Sequence, residues 1–172
     1  MYKSQITHIT DIEARNKAFN ALSKSDKRKE IALDCLNLTL SGKIKAAIGE
    51  YWSHELECIN PKNAKLFQFE LVNNLPECQV CARGGMMLSQ IRLGNSISPK
   101  NEDRMDGENQ KLLKGFTYES FEKMESEYEW SHYKHPYYHR TTQKLQNICL
   151  NVIYNGDFKP EDKTDYLTTF IS

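Results

Sequence analysis

Between Thr141 and Tyr154 the apolar residues Leu145, Ile148, Cys149, Val152 and Ile153 recur at i, i+3, i+4, i+7 and i+8. That spacing lines one face of an α-helix and fits no β-strand, whose side chains alternate every second residue. Asn155-Gly156 follows, and glycine just past a helix is the usual left-handed stop. A chain built around such an element must find other faces to cover the stripe, and neighbouring segments carry the same period.

Asp26 to Ser41 reads as a second helix, with Ile31, Cys35 and Leu38 at i, i+4 and i+7, Leu36 and Leu40 widening the stripe, and Gly42 as its C-cap. Asp11 to Leu22 reads as a shorter helix, separated from it by the capping run Ser23-Lys24-Ser25-Asp26. Phe116 to Trp130 places Phe121, Met124 and Tyr128 on one side. Its Glu119, Glu122, Glu125, Glu127 and Glu129 are expected to form a solvated face, with a docking surface for a basic partner as the alternative. Glu77 to Leu93 reads as a helix with Cys81, Gly84, Gly85, Leu88 and Ile91 on one face.

From Lys43 to Leu75 the helical period fades. Ile44, Ala46 and Ile48 alternate, Asn60-Pro61-Lys62-Asn63 is a turn, and Leu66, Phe67, Phe69, Leu71 and Val72 are aromatic or branched. A small antiparallel β-hairpin is expected there. Residues 95–115 are polar and glycine-punctuated and are expected to form a long loop. The expected architecture is mainly α (α+β): one domain over residues 1–160, about five helices with that hairpin, and a partly ordered tail over 161–172.

At 172 residues the chain suits one domain, and 39% hydrophobic with 27% charged residues is a globular composition. Lysine plus arginine number 23 and aspartate plus glutamate 23, so the net charge is zero and wholesale binding along duplex DNA is disfavoured. No run of about 18–20 apolar residues is available to span a bilayer, and the first residues lack a signal-peptide core. A cytoplasmic location, in the cytoplasm of a host cell, is expected. Five unevenly spaced cysteines (Cys35, Cys58, Cys78, Cys81 and Cys149) argue against a disulfide framework.

The segment Cys78-Gln79-Val80-Cys81-Ala82-Arg83-Gly84-Gly85 admits three readings. As a metal site, Cys78 and Cys81 with His54 and Cys58 would make a structural Cys3His zinc tetrahedron. As a redox or nucleophilic centre, a helix N-terminus would favour a thiolate. As packing, small side chains at Cys81, Ala82, Gly84 and Gly85 let another backbone approach, at a cost of roughly 1 kcal/mol per helical glycine. Packing is the leading reading, with no metal or cofactor. An anion held at Arg83 and Gly84 would overlay it.

Residues 131–140 concentrate His132, Tyr133, Lys134, His135, Pro136, Tyr137, Tyr138, His139 and Arg140. Tyrosine and histidine stack on bases, arginine grips phosphate in a fork, and both tyrosine and arginine anchor protein interfaces. His135, Tyr137, Tyr138, His139 and Arg140 are therefore candidate binding residues. The alternatives are a core-plugging loop and a small nucleotide hydrolase. No nucleophile or carboxylate partner is assignable to the histidines, so no catalytic residue is designated.

Several segments together resemble a family of small bacteriophage and prophage proteins. They are Arg28-Lys29-Glu30-Ile31-Ala32-Leu33-Asp34, Gly42-Lys43-Ile44, Cys78-Gln79-Val80-Cys81-Ala82-Arg83-Gly84, Ile91-Arg92, Phe121 to Glu129, and Leu145 through Asn155-Gly156-Asp157-Phe158-Lys159-Pro160. The C-x-V-C-A-x-G core and the N-G-x-F-x-P ending carry the likeness. Gly85 departs from it, since alanine or serine is commoner there, and the histidine-rich connector has no counterpart in it. The resemblance transfers no catalytic residue. It implies a phage context and a non-enzymatic binding protein that inhibits a host factor: a host-defence protein or its nucleotide signal. The helical stripes suit a monomer or a homodimer equally.

Overall fold

The computed structural model describes residues 2–47, 64–94, 115–130 and 141–171. The chain is mainly α. Helices α1 (Ile12–Ala21) and α2 (Lys24–Leu40) lead into strand β1 (Ile44–Ala46). Helix α3 (Ala64–Asn73), strand β2 (Cys78–Val80) and helix α4 (Ala82–Gly94) follow, then α5 (Tyr118–Trp130), α6 (Thr141–Asn155) and the short α7 (Tyr166–Ile171).

Local chemistry sets several helix ends. Asp11 caps α1 by accepting the Ala14 N–H at 2.8 Å, and the Ser23 hydroxyl caps α2 by accepting the Asp26 N–H at 3.1 Å. Thr117 does the same for α5, accepting the Ser120 N–H at 3.1 Å. Gly42 terminates α2 at φ 73° with nothing near its α-hydrogens, so backbone conformation and not crowding requires glycine there.

Two expectations are corrected. The antiparallel hairpin does not form. The sheet has two parallel strands, with Ile44 opposite Cys78, Lys45 opposite Gln79 and Ala46 opposite Val80. The aromatic run expected as its second strand is helix α3. Phe67 and Leu71, four residues apart, face the core, while Leu66 and Phe69 point outward. Packing of that i, i+4 pair overrides the β preference of the residue types. A helix between the two strands supplies the crossover that a parallel pairing needs. The helix expected from Glu77 begins instead at Ala82, because residues 78–80 are drawn into the ladder by main-chain bonds such as Cys78 N–H to the Lys43 carbonyl at 3.1 Å. Seven helices stand among the described residues; α3 and α7 are the additional ones. The long loop expected at 95–115 lies, apart from Gly115, outside the described residues.

Helix α4 is the centre of the molecule. Every residue of it except Arg92 is buried, and it is packed by α1, α2, α3 and α5. A β-carbon on Gly85 would lie 3.0 Å from the Cys35 sulfur and 3.3 Å from Val80, and one on Gly94 would lie 2.2 Å from the Phe19 ring. Helix α4 is thus threaded through the core at distances only glycine allows. The most extensive helix pairing is α2 against α6. Their stripes bury Ile31, Cys35, Leu145, Cys149 and Val152. Among the described residues no helix is long and apolar enough to cross a membrane.

Candidate functional site

The Cys78–Gly85 segment divides between two elements. Cys78 opens β2, and Cys81 is the turn residue that caps α4: its sulfur accepts the Gly84 N–H at 3.3 Å, while its carbonyl accepts the Gly85 N–H at 2.9 Å. Burial pushes the Cys81 thiol up to about 12, with the nearby Glu125 carboxylate adding to the effect against weaker opposing bonds from Gly84 and Arg83. Cys35 is raised as well, first by its hydrogen bond with Cys149 and then by complete burial. The four described cysteines (Cys35, Cys78, Cys81 and Cys149) are buried and reduced. At neutral pH Cys81 and Cys35 are thiols, so the helix start supplies no ready nucleophile there.

The strand also opens the C-x-x-C unit out instead of curling it into a tight metal knuckle, and the Cys81 sulfur turns back to its own helix. No group of three or more histidine, cysteine or acidic residues is set to hold a metal among the described residues. His54 and Cys58 lie outside them.

Arg83, expected as a counter-charge for an anion, is 7% exposed and donates from Nη2 to Glu122 Oε1 of α5 at 2.8 Å. Its backbone N–H donates to Glu125 Oε2 at 3.3 Å. The protein's own carboxylates therefore sit where the α4 dipole favours negative charge. Gly84 is buried beside them. Two of the glutamates expected on a solvated face do this work; Glu119 pairs with Lys123 and Glu127 with Lys163.

Above this corner, several chain ends meet. The Tyr128 hydroxyl, near the end of α5, donates to the Ala47 carbonyl. The Ala46 N–H donates to the Thr142 hydroxyl in the first turn of α6 at 3.2 Å, and the Ala47 N–H donates to the Val80 carbonyl at 2.8 Å. The carboxyl ends of both strands, the start of α4, the end of α5 and the start of α6 are thus tied together. The connector 131–140 joins α5 to α6 from this corner. Its His135, Tyr137, Tyr138, His139 and Arg140 lie outside the described residues.

Three other polar assemblies are absent from the sequence pattern. At the far end of α4, Arg92 forks onto Asp34 at 2.9 and 3.3 Å, and also donates to the Leu71 carbonyl. Arg15 beside it donates to the carbonyls of Ile9, Thr7 and Arg92, at 2.8, 3.1 and 3.3 Å. Burial, and then the Arg92 charge, lower its pKa. Glu30, fully buried, fastens the amino-terminal arm by accepting from Ser4 Oγ at 2.7 Å, the Gln5 N–H at 2.6 Å and the Tyr2 hydroxyl at 3.1 Å. Burial, with the Glu30 charge next, pushes the Tyr2 phenol up to about 12.

On α6, Asn147, Asn151 and Asn155 stand one turn apart and fasten the segment that follows. Asn151 accepts the Lys159 N–H at 2.9 Å and donates back to the Lys159 carbonyl at 2.9 Å. Asn147 accepts the Tyr166 N–H at 2.9 Å, and Asn155 donates to Asp162 at 2.7 Å. Four-residue spacing of asparagine was the available signal. The N-G-x-F-x-P ending has its own role: Gly156 takes φ 76° against Ser25, and its carbonyl accepts from Arg28 Nε at 2.6 Å.

The fold defines a class only: a mainly helical protein with a two-stranded parallel sheet at the mouth of its central helix. No family model, no curated protein and no solved structure matches the chain.

Proposed function

We propose that the protein is a non-enzymatic binding protein of phage type that inhibits a host factor, either a host-defence protein or its nucleotide signal. The binding face is the corner where β1 and β2 end. Arg83 and Gly84 form its base, and His135, Tyr137, Tyr138, His139 and Arg140 supply its contacts.

The observation that carries this reading is the tethering of both feet of the 131–140 connector. Tyr128 and Thr142 are bonded to Ala47 and Ala46, beside the start of α4. The described residues on either side of the tyrosine-, histidine- and arginine-bearing segment are thereby both tied to the ends of the strands. In open α/β sheets ligands bind outside the carboxyl ends of the strands, and this corner lies at the carboxyl ends of β1 and β2. The protonated Cys81 thiol and the carboxylates on Arg83 and its amide favour a scaffold over a reaction centre. The resemblance to phage proteins supplies the host context.

The test is capture of partners from bacterial host lysate by the tagged chain, beside a variant with alanine at Tyr137, Tyr138 and Arg140. Loss of a specific partner in the variant supports the reading. Retention of every partner by the variant ends it. Incubation with cyclic nucleotides, then heating and recovery, separates the two targets: intact recovered nucleotide indicates sequestration, and altered nucleotide would convert the binding protein into a hydrolase.

A further inference from the structure

Helix α3 has two apolar faces and the fold covers one of them. Phe67 and Leu71 are buried in the core, while Leu66 and Phe69 on the other side are 45% and 46% exposed. Asn73, also exposed, continues the outer face. Positions 66, 69 and 73 are spaced by three and then four residues, which is the a–d–a seam of a coiled coil. In that register Lys65 takes the g position and Glu70 the e position, on opposite flanks of the seam. The two flanks carry opposite charge, and that arrangement selects an orientation. When two such helices run parallel, Lys65 of one meets Glu70 of the other on both sides of the seam. When they run antiparallel, Lys65 meets Lys65 and Glu70 meets Glu70.

We propose that α3 pairs in parallel with α3 of a second copy of this chain, across a twofold axis, with Leu66 and Phe69 at the contact and Lys65 of each copy bonded to Glu70 of the other. A self-complementary patch is what a twofold dimer requires. Neighbouring charges leave the pairing intact. Lys65 meets Glu13 of α1 at 3.5 Å, with side-chain exposures of 80% and 84%, and an ammonium has three donors with which to hold both carboxylates. Lys17, one turn further along α1, offsets Glu13. Beyond the end of α3, Lys43, whose ammonium donates to the Leu75 carbonyl at 3.4 Å, offsets Glu77. Glu70 accepts from Asn74 Nδ2 at 3.0 Å through Oε2, one of its two oxygens. Asn73, a single polar residue in the seam, fixes the register at a cost in affinity. These residues are separate from the connector 131–140, so the inference stands independently of the proposed function.

The test is sedimentation velocity of the full chain over a concentration series. A monomer–dimer equilibrium is expected, with a dissociation constant on the order of 100 μM, as suits a contact at the small end of specific interfaces. Phe69→Gln weakens it by about tenfold or more. Lys65→Glu and Glu70→Lys each weaken it by about threefold or more, and the double variant carrying both returns to within about twofold of the parent chain. Alanine at Tyr137, Tyr138 and Arg140 leaves it unchanged. Phe69 and Lys65 are well exposed, so unchanged thermal midpoints will certify folding of the variants. A chain that stays monomeric up to about 1 mM overturns the inference. So does a dimer that Phe69→Gln leaves as tight as before, or a charge-reversed double variant no tighter than the single ones. Dimerisation lost on alanine substitution in the connector overturns it as well, because the contact would then lie there.

Discussion

Helix α4 carries one arginine near each end, and the two are held differently. Arg92 and Asp34 are both enclosed, with side-chain exposures of 13% and 4%, and the pair is joined to Arg15 through the Arg92 carbonyl. Arg83 is equally enclosed at 9%, but its partner Glu122 is half exposed at 50%. The first pair is a closed joint between α2 and α4, with every group near it committed to the fold. The second is a clasp between α4 and α5, open to solvent on one side, at the corner where the connector begins. The same ion-pair chemistry thus anchors the fold at one end of the helix and borders the proposed binding face at the other.

The largest effect should come from breaking the closed joint. Asp34→Ala strands a buried guanidinium and is expected to cost about 3–5 kcal/mol in denaturant unfolding. A loss below about 1 kcal/mol would show that the joint is no tighter than the clasp. Gly94→Ala, at the same end, drives a methyl group into the Phe19 ring and should cost about 1–3 kcal/mol by the same measurement. A neutral result would mean that α1 yields freely.

Asn151→Ala removes the reciprocal bonds to Lys159. It should cost about 1–2 kcal/mol and speed amide exchange over residues 159–167. Exchange as slow as in the parent chain would place the hold on α7 elsewhere. Glu122→Gln, at the open clasp, should cost less than about 1 kcal/mol. A loss as large as that of Asp34→Ala would erase the contrast between the two ends.

The smallest effect is a pH dependence at Asp162. Bonds from Thr164, Tyr166 and Asn155 hold its carboxyl well below the usual range. Its folded value lies below that of the unfolded chain. The stabilisation is therefore complete above about pH 4 and fades as pH falls further. Proteolysis of the C-terminal segment should accelerate below that point and not above it.

Five helices were legible because each carries its own period, although α4 starts five residues later than the pattern implied. Asp11, Ser23 and Thr117 cap helix starts, and Gly42 and Gly156 end helices, all through contacts within a few residues. Helix α3 was not legible, because Phe67 and Leu71 satisfy helix and strand patterns alike until a core claims one face. Strand β2 was not legible either: three residues have no period, and their partner is more than thirty positions away. At the candidate site, the small residues from Cys81 to Gly85 pointed to a close backbone approach; at Gly85 it is instead the side chains of Cys35 and Val80 that leave no room for a β-carbon. The pairing of Arg83 with Glu122 joins residues 39 apart, and no local pattern encodes it.

By itself the sequence determined the mainly helical character, the capped starts of α1 and α2, the glycine stops after α2 and α6, and the need for a small residue at position 85. These follow from short-range sterics, capping bonds and the 3.6-residue period, all of which act within a turn or two. Tertiary structure alone decided that the strands run parallel, that α4 lies at the centre, and that Glu122 and Glu125 bond Arg83 at its start while Asn147, Asn151 and Asn155 fasten the tail. Those outcomes depend on which distant groups can be buried and satisfied together, a condition imposed by the whole packed core.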